Sequence, residues 1–191
     1  MERVKEVRSE EEILVEYLRR AYHAVDGLWF MMVEQESGFD RALELDRRVW
    51  EVLAKIEARK ARELMNCAGN SPEELARCFG LKLKADGQEF EADASDEGVR
   101  FALRGCAWLD LLRKSGREHL AVRIGQAICM TEGRTWCAEF GGEYEFEIPV
   151  MGCAGLRPSE GFGPQAGPGG SEGFGLQAHS DRCHMLFARK G

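Results

Sequence analysis

Between residues 80 and 90 the period of the hydrophobic pattern changes, and that change constrains the fold more than any other feature of the chain. Up to that point apolar residues recur at helical spacing. Residues 9 to about 35 carry Leu14, Leu18, Ala21, Val25, Leu28 and Met32 on one stripe, opened by a Ser9/Glu12 capping box and broken at Ser37-Gly38. A second helix is predicted over 39–65, with Phe39, Leu43, Val49, Trp50, Leu53 and Ile56 on its apolar side. Ser71-Pro72-Glu73-Glu74 opens a third, with serine as cap and proline in the first turn, and Gly80 is read as its end. The two long helices are expected to pack antiparallel across their short connection.

From Phe90 the residues alternate instead. Residues 90–95 and 98–105 flank Asp96-Glu97 as a hairpin would, and 144–150 and 182–188 alternate again. Helical character returns between these pairs, over 106–114 and 117–140. Two strands, two helices and two strands predict a small antiparallel sheet with helices on one face, so the expected class is α+β. The reading divides the chain into a helical region, 1–80, and an α+β module, 81–191. Within the module, Ser159-Glu160-Gly161-Phe162-Gly163-Pro164-Gln165-Ala166 recurs as Ser171-Glu172-Gly173-Phe174-Gly175-Leu176-Gln177-Ala178. Its glycines oppose any regular element, and 158–181 is expected to be a duplicated, mobile surface loop whose Phe162 and Phe174 would close on a ligand if it acts as a lid.

Charge excludes one class of partner. The 191 residues hold 26 basic and 33 acidic side chains, a net charge of −7, and show no basic face for nucleic acid. No apolar run is long enough for a membrane span, and the first residues lack an apolar signal core, so a cytoplasmic protein is expected. In that compartment the seven cysteines would be thiols, thiolates or metal ligands. No Cys-x-x-Cys occurs, so a metal site would draw its ligands from distant segments. Cys106 falls where a strand hands over to a helix, a place expected to lower a thiol pKa. Cys129 lies inside the following helix beside Glu132, Cys153 follows the third strand and Cys183 starts the fourth. These four either converge as a tetrahedral thiolate site, which suits zinc and to a lesser degree iron, or are small buried hydrophobes. Cys67, Cys78 and Cys137 are read as buried.

The first helix offers a second set of candidates. His23, Gly27, Phe30 and Glu34 fall within about 40° of one another on a helical wheel. Asp46 falls among the apolar residues of the second helix, where a carboxylate either finds a structural partner such as a Trp indole or Tyr hydroxyl or serves as a polar anchor in an aromatic pocket. His119 is expected on a solvated face, and His184 on the strand face opposite Cys183.

These residues also carry a resemblance. The stretch Ala24-Val25-Asp26-Gly27-Leu28-Trp29-Phe30, Glu34, Gly38-Phe39, Ala42-Leu43-Glu44-Leu45-Asp46 and Val49-Trp50 resembles an uncharacterised bacterial and archaeal family of cytosolic proteins. So does Cys106-Ala107-Trp108 with Lys114-Ser115-Gly116-Arg117-Glu118-His119-Leu120, Ile128-Cys129, Thr131-Glu132, Trp136 and Glu139-Phe140-Gly141. Some of its members are labelled L-2-amino-thiazoline-4-carboxylic acid hydrolase-like. The C-terminal half is similar to the four-vinyl-reductase domain, a small-molecule-binding module. That resemblance implies metal ligation by Cys129, Cys153 and Cys183, with Cys106 as an additional cysteine and Glu145 or Glu147 as an acid. The short spacer between the cysteine pair of that domain is replaced here by residues 154–182.

The expected function is therefore a cytoplasmic small-molecule-binding or sensor-type protein with a structural zinc held by Cys106, Cys129, Cys153 and Cys183. His23, Asp26, Trp29, Phe30, Glu34 and Trp50, with Met32, would line its pocket. The alternative is a cysteine- or metal-dependent hydrolase of a small amide or thiazoline-like substrate, with Cys106 as nucleophile and Glu132 or His119 as base. A third reading is a dimerisation module without ligand. In the first reading too a homodimer is expected through the N-terminal helices, because Trp29, Phe30, Met31, Met32 and Val33 spread apolar character around the first helix.

Overall fold

The computed structural model describes residues 8–155 and 182–191, so the duplicated 158–181 segment lies outside the described residues. The fold is α+β. Three helices, α1 (Glu10–Ser37), α2 (Phe39–Met65) and α3 (Pro72–Ala85), precede the hairpin β1 (Phe90–Ser95) and β2 (Gly98–Arg104). Helix α4 (Ala107–Lys114), a 3-10 turn (Glu118–Leu120) and α5 (Ala121–Glu139) then lead to β3 (Tyr144–Val150), a second 3-10 turn (Gly152–Gly155) and β4 (Arg182–Arg189). The sheet is antiparallel throughout, in the order β1-β2-β4-β3.

Local chemistry explains the helix ends. At α1 the Ser9 hydroxyl accepts from the Glu12 N–H while the Glu12 carboxylate accepts from the Ser9 N–H, and Ser71 and Glu74 repeat the arrangement at α3. Gly38 alone separates α1 from α2, and its φ of 82° suits glycine. The two helices run antiparallel, so that Phe30 meets Phe39 and Tyr22 meets Trp50. Helix α3 differs from expectation, because it continues through Gly80 to Ala85. A Cβ at Gly80 would stand 3.2 Å from the Phe90 ring. That glycine serves close packing of helix on hairpin, not termination.

The core lies between the sheet and helices α2, α3 and α5. Phe79 is its hub, with ring centroids 5.1 Å from Phe101, 5.0 Å from Trp136 and 4.9 Å from Phe187, all edge-on. Phe146 meets Phe187 from β3 at 4.8 Å, and a Cβ at Gly133 of α5 would collide with the Phe146 ring. Helix α2 presents its small side chains here: Ala54, Ala58 and Ala61 are buried in this core. Alanine ridges let neighbouring helices approach closely.

The face of α1 also differs from expectation. His23 and Phe30 are its buried residues, whereas Leu14, Leu18, Val25, Leu28 and Met32 are at least half exposed. The apolar stripe legible in the sequence thus points away from the protein's own core among the described residues. On α2, Val49 and Ile56 likewise face outward. No helix among the described residues is long and apolar enough to cross a membrane.

Candidate functional site

Helices α1 and α2 lean against the rest of the chain without filling the space behind them. The result is a cavity of about 360 Å³ whose walls come from α1 to α5, from β2, β3 and β4, and from the turn after β3. Its surface is mainly apolar, from residues such as Phe30, Leu103, Leu109, Ile124, Ile128 and Met185. Gly27 borders the cavity from α1, and an added Cβ there would meet nothing within 4 Å.

Aromatic rings support the α1–α2 wall. Trp108 lies 5.6 Å from Trp50 and 6.1 Å from Tyr22, edge-on to both, and 4.4 Å from the His23 ring. Buried His23 has its Nε2 without a hydrogen-bond partner among the described residues, and burial lowers its pKa from the usual histidine range. Its neighbours Asp26 and Asp46 also face the cavity. Burial raises the Asp26 carboxyl to about 6 against the Trp50 indole, which favours the charged form. Asp46, 4% exposed, is pushed to about 7 by burial and by the charge of Asp26, again against Trp50. Its Oδ1 accepts no hydrogen bond among the described residues.

At the inner end stands a buried ion cluster. The Lys82 Nζ lies 2.8 Å from Asp86 Oδ2 and pairs with Glu132, all three residues being buried. Burial opposes the ammonium charge, but Glu132, Asp86 and Glu57 outweigh it and hold the Lys82 pKa above its ordinary range. Burial raises Glu57 to about 7 despite the pull of Lys82. A buried cation surrounded by carboxylates fixes the relative positions of α3 and α5, since removing either partner would strand a charge.

All four cysteines proposed as metal ligands line this cavity, from four separate segments. Cys106 caps α4, but its thiol pKa is raised, not lowered: burial outweighs the nearby Leu109 and Trp108 N–H groups. Burial also raises Cys129 and Cys183, and pushes Cys153 to about 11. Among the described residues no group of three or more His, Cys, Asp or Glu side chains stands in metal-holding geometry. The Cys153 thiol instead donates to the Ala121 carbonyl at 3.6 Å. The donor chemistry suits a soft metal ion, and a tetrahedral site requires the thiols to draw closer.

The remaining candidates separate. His23, Asp26, Phe30 and Trp50 border the cavity, whereas Trp29 and Met32 are outward-facing and absent from its wall. Glu34 accepts from Arg117 at 2.6 Å and lines a surface cleft with exposed His119. The expected pocket therefore lies on the His23–Phe30 side of α1. His119 does not line the cavity that holds Cys106, and Glu132 is engaged by Lys82. Cys183 faces the cavity while His184 does not, as strand alternation requires.

Lys82, Asp86 and Trp108 are the site residues that sequence reasoning missed. Leu75, Cys78, Phe79, Lys82, Leu83 and Asp86 follow one helical stripe, a signal hidden by taking Gly80 as a stop.

A family model described as a family of unknown function (DUF6125) matches residues 5–130, and the chain belongs to that family. No curated protein and no solved structure matches it.

Proposed function

We propose that this member of that family is a cytoplasmic small-molecule-binding protein of the sensor type, whose ligand enters the cavity behind α1 and α2. The observation that carries the reading is a mainly apolar cavity of about 360 Å³ into which a few buried polar groups converge. That size and composition are those of small-ligand sites. Trp50 and Trp108 give the experiment its signal. A panel of apolar and amphipathic molecules should include one that perturbs their fluorescence at 1:1 stoichiometry and raises the melting temperature. Ile128→Trp, which projects an indole into the cavity, should abolish both effects. Full stability of that variant with no ligand response from either protein would reduce the cavity to a packing void.

A second reading concerns the thiols. Four cysteines from four segments on one cavity favour a thiolate metal site, with zinc ahead of iron, held by Cys106, Cys129, Cys153 and Cys183. Elemental analysis of protein purified without metal or tag should then find one equivalent. Protein that retains no metal and takes up none after reduction ends this reading. The outward apolar residues of α1 support a homodimer. Sedimentation equilibrium should give twice 21.5 kDa, reverting to 21.5 kDa in Leu28→Glu. A single-chain mass across micromolar concentrations would exclude it.

A further inference from the structure

We infer that Asp26 and Asp46 form a seat for a protonated amine, so that the ligand of this cavity is an organic cation with an apolar body. This deepens the small-molecule reading and rests on it. Two carboxylates project from adjacent helices into one enclosed space. One of them, Asp46, is 4% exposed and keeps Oδ1 without a hydrogen-bond partner among the described residues, as does Nε2 of the 9% exposed His23. An unsatisfied buried oxygen is costly to maintain in a protein interior, and a ligand donor removes the cost.

Three features select a cation. The influences on the two carboxyls are burial, the Trp50 indole and, for Asp46, the second acid; Lys82 is not among them. Lys82 is committed to Asp86 and Glu132, and the other cation on the wall, Arg117, to Glu34. The rings of Trp50 and Trp108 stand on the same wall, as suits an ammonium group. An inorganic dication fits less well, since among the described residues no group of three or more ligating side chains stands ready for it. An ammonium ion needs only hydrogen-bond acceptors and an apolar surround, and both are present. Leu109, Ile124 and Ile128 would receive its carbon body.

Proton balance follows from the same geometry. With the seat empty, Asp46, at about 7, keeps its proton through much of the neutral range, while Asp26, at about 6, is already largely ionised. When an R–NH3+ group enters, its N–H bonds point at the carboxylates, Asp46 ionises as Asp26 already has, and the proton the pair held passes to solvent. The ionisable neighbours are Tyr22 and His23 on α1, Glu57 on α2, Lys82 and Asp86 on α3, Glu132 on α5, and Arg117. Tyr22, held neutral by burial, keeps its proton as this happens.

The test uses the full chain and three probes of equal length: n-hexylamine, 1-hexanol and hexanoate. Calorimetry at pH 6.5 should show hexylammonium binding at least tenfold more tightly than hexanol, with hexanoate weakest. The heat should vary with the ionisation enthalpy of the buffer, as proton release requires. Asp46→Asn should weaken hexylammonium at least tenfold and leave hexanol unchanged. Asp26→Asn, at the less buried partner, should do the same, which covers a failure of the first variant to fold. Equal binding of hexanol and hexylammonium, or amine binding untouched by either variant, overturns the cation seat while the cavity reading stands. If none of the three probes binds, both fall.

Discussion

Two aromatic clusters share this molecule and differ in what surrounds them. Around Phe79 the rings of Phe101, Trp136, Phe146 and Phe187 meet side chains and backbone, with glycine admitted where even a methyl group collides. Around Trp108 the rings of Tyr22, His23 and Trp50 gather, and Trp108, His23 and Trp50 border a cavity with carboxylates on its wall. The contacts between rings are of the same kind. What separates the clusters is the placement of charge: buried ions and acids on the cavity wall oppose its collapse, because closing over them would remove what little solvation they keep. The first cluster is structural ground, and the second is held open.

Truncating an indole in each cluster is the most severe way to break the comparison. Trp136→Ala should cost about 3–5 kcal/mol in denaturant unfolding, the range for fully packed aromatics. Trp50→Ala should cost less, since one side of that ring already lacks neighbours. Equal losses would mean that the cavity wall is as tightly packed as the core. Lys82→Met comes next, with a loss of about 3 kcal/mol at pH 8, because Asp86, Glu132 and Glu57 would be left buried without their cation. The loss should shrink at pH 5, where Glu57 and Glu132, whose pKa values burial raises, take up protons. A loss independent of pH would show that the lysine acts through packing alone.

Asp46→Asn sharpens the contrast in the opposite direction. Its native carboxyl titrates at about 7, well above an ordinary aspartate near 4, so across about pH 4–7 the native state holds more protons than the unfolded chain. Stability from this group is full below about pH 4, falls as pH rises and levels off above about pH 7. The asparagine variant should therefore be more stable than the parent at pH 8, on the order of 2 kcal/mol, with the difference vanishing near pH 4. Parallel stability curves for the two proteins would contradict the placement of Asp46. The smallest effects belong to two helical glycines. Gly27→Ala meets open space and should gain up to about 1 kcal/mol from helix propensity, whereas Gly133→Ala meets Phe146 and should lose about 1 kcal/mol after the same gain is set against overpacking. Thermal melts of the pair should move in opposite directions.

The individual elements were far more legible in the sequence than the way they pack. Helix α2 and strand β3 fall at 39–65 and 144–150 as their patterns require, and the Ser9 box caps α1. These are local signals, and local chemistry decides them. Which side of α1 turns inward is not local. Six aliphatic positions marked one stripe, yet His23 and Phe30 are the residues covered, because the surface they meet carries Trp108, Trp50 and Phe39. Period alone reveals that a helix has an apolar face and is silent about which neighbour claims it. The Lys82 cluster was hidden for a related reason. A lysine reads as a solvated residue until Asp86 and Glu132 are seen to converge on it, and Glu132 lies on a helix far along the chain.

The sheet order has a consequence for how the protein comes into being. β4 lies between β2 and β3 and pairs with both, yet it follows every other described element in the chain. During synthesis the β1–β2 hairpin can form early, while β3 waits through residues 151–181 for the strand that joins it to the sheet. Until then the facing edges of β2 and β3 carry unpaired backbone groups beside an apolar surface, a combination that invites association between growing chains. The last step is then one of insertion: a single strand enters a slot with two prepared sides and completes both ladders together. Such non-local closure slows folding relative to the helices and the β1–β2 hairpin, whose contacts are local.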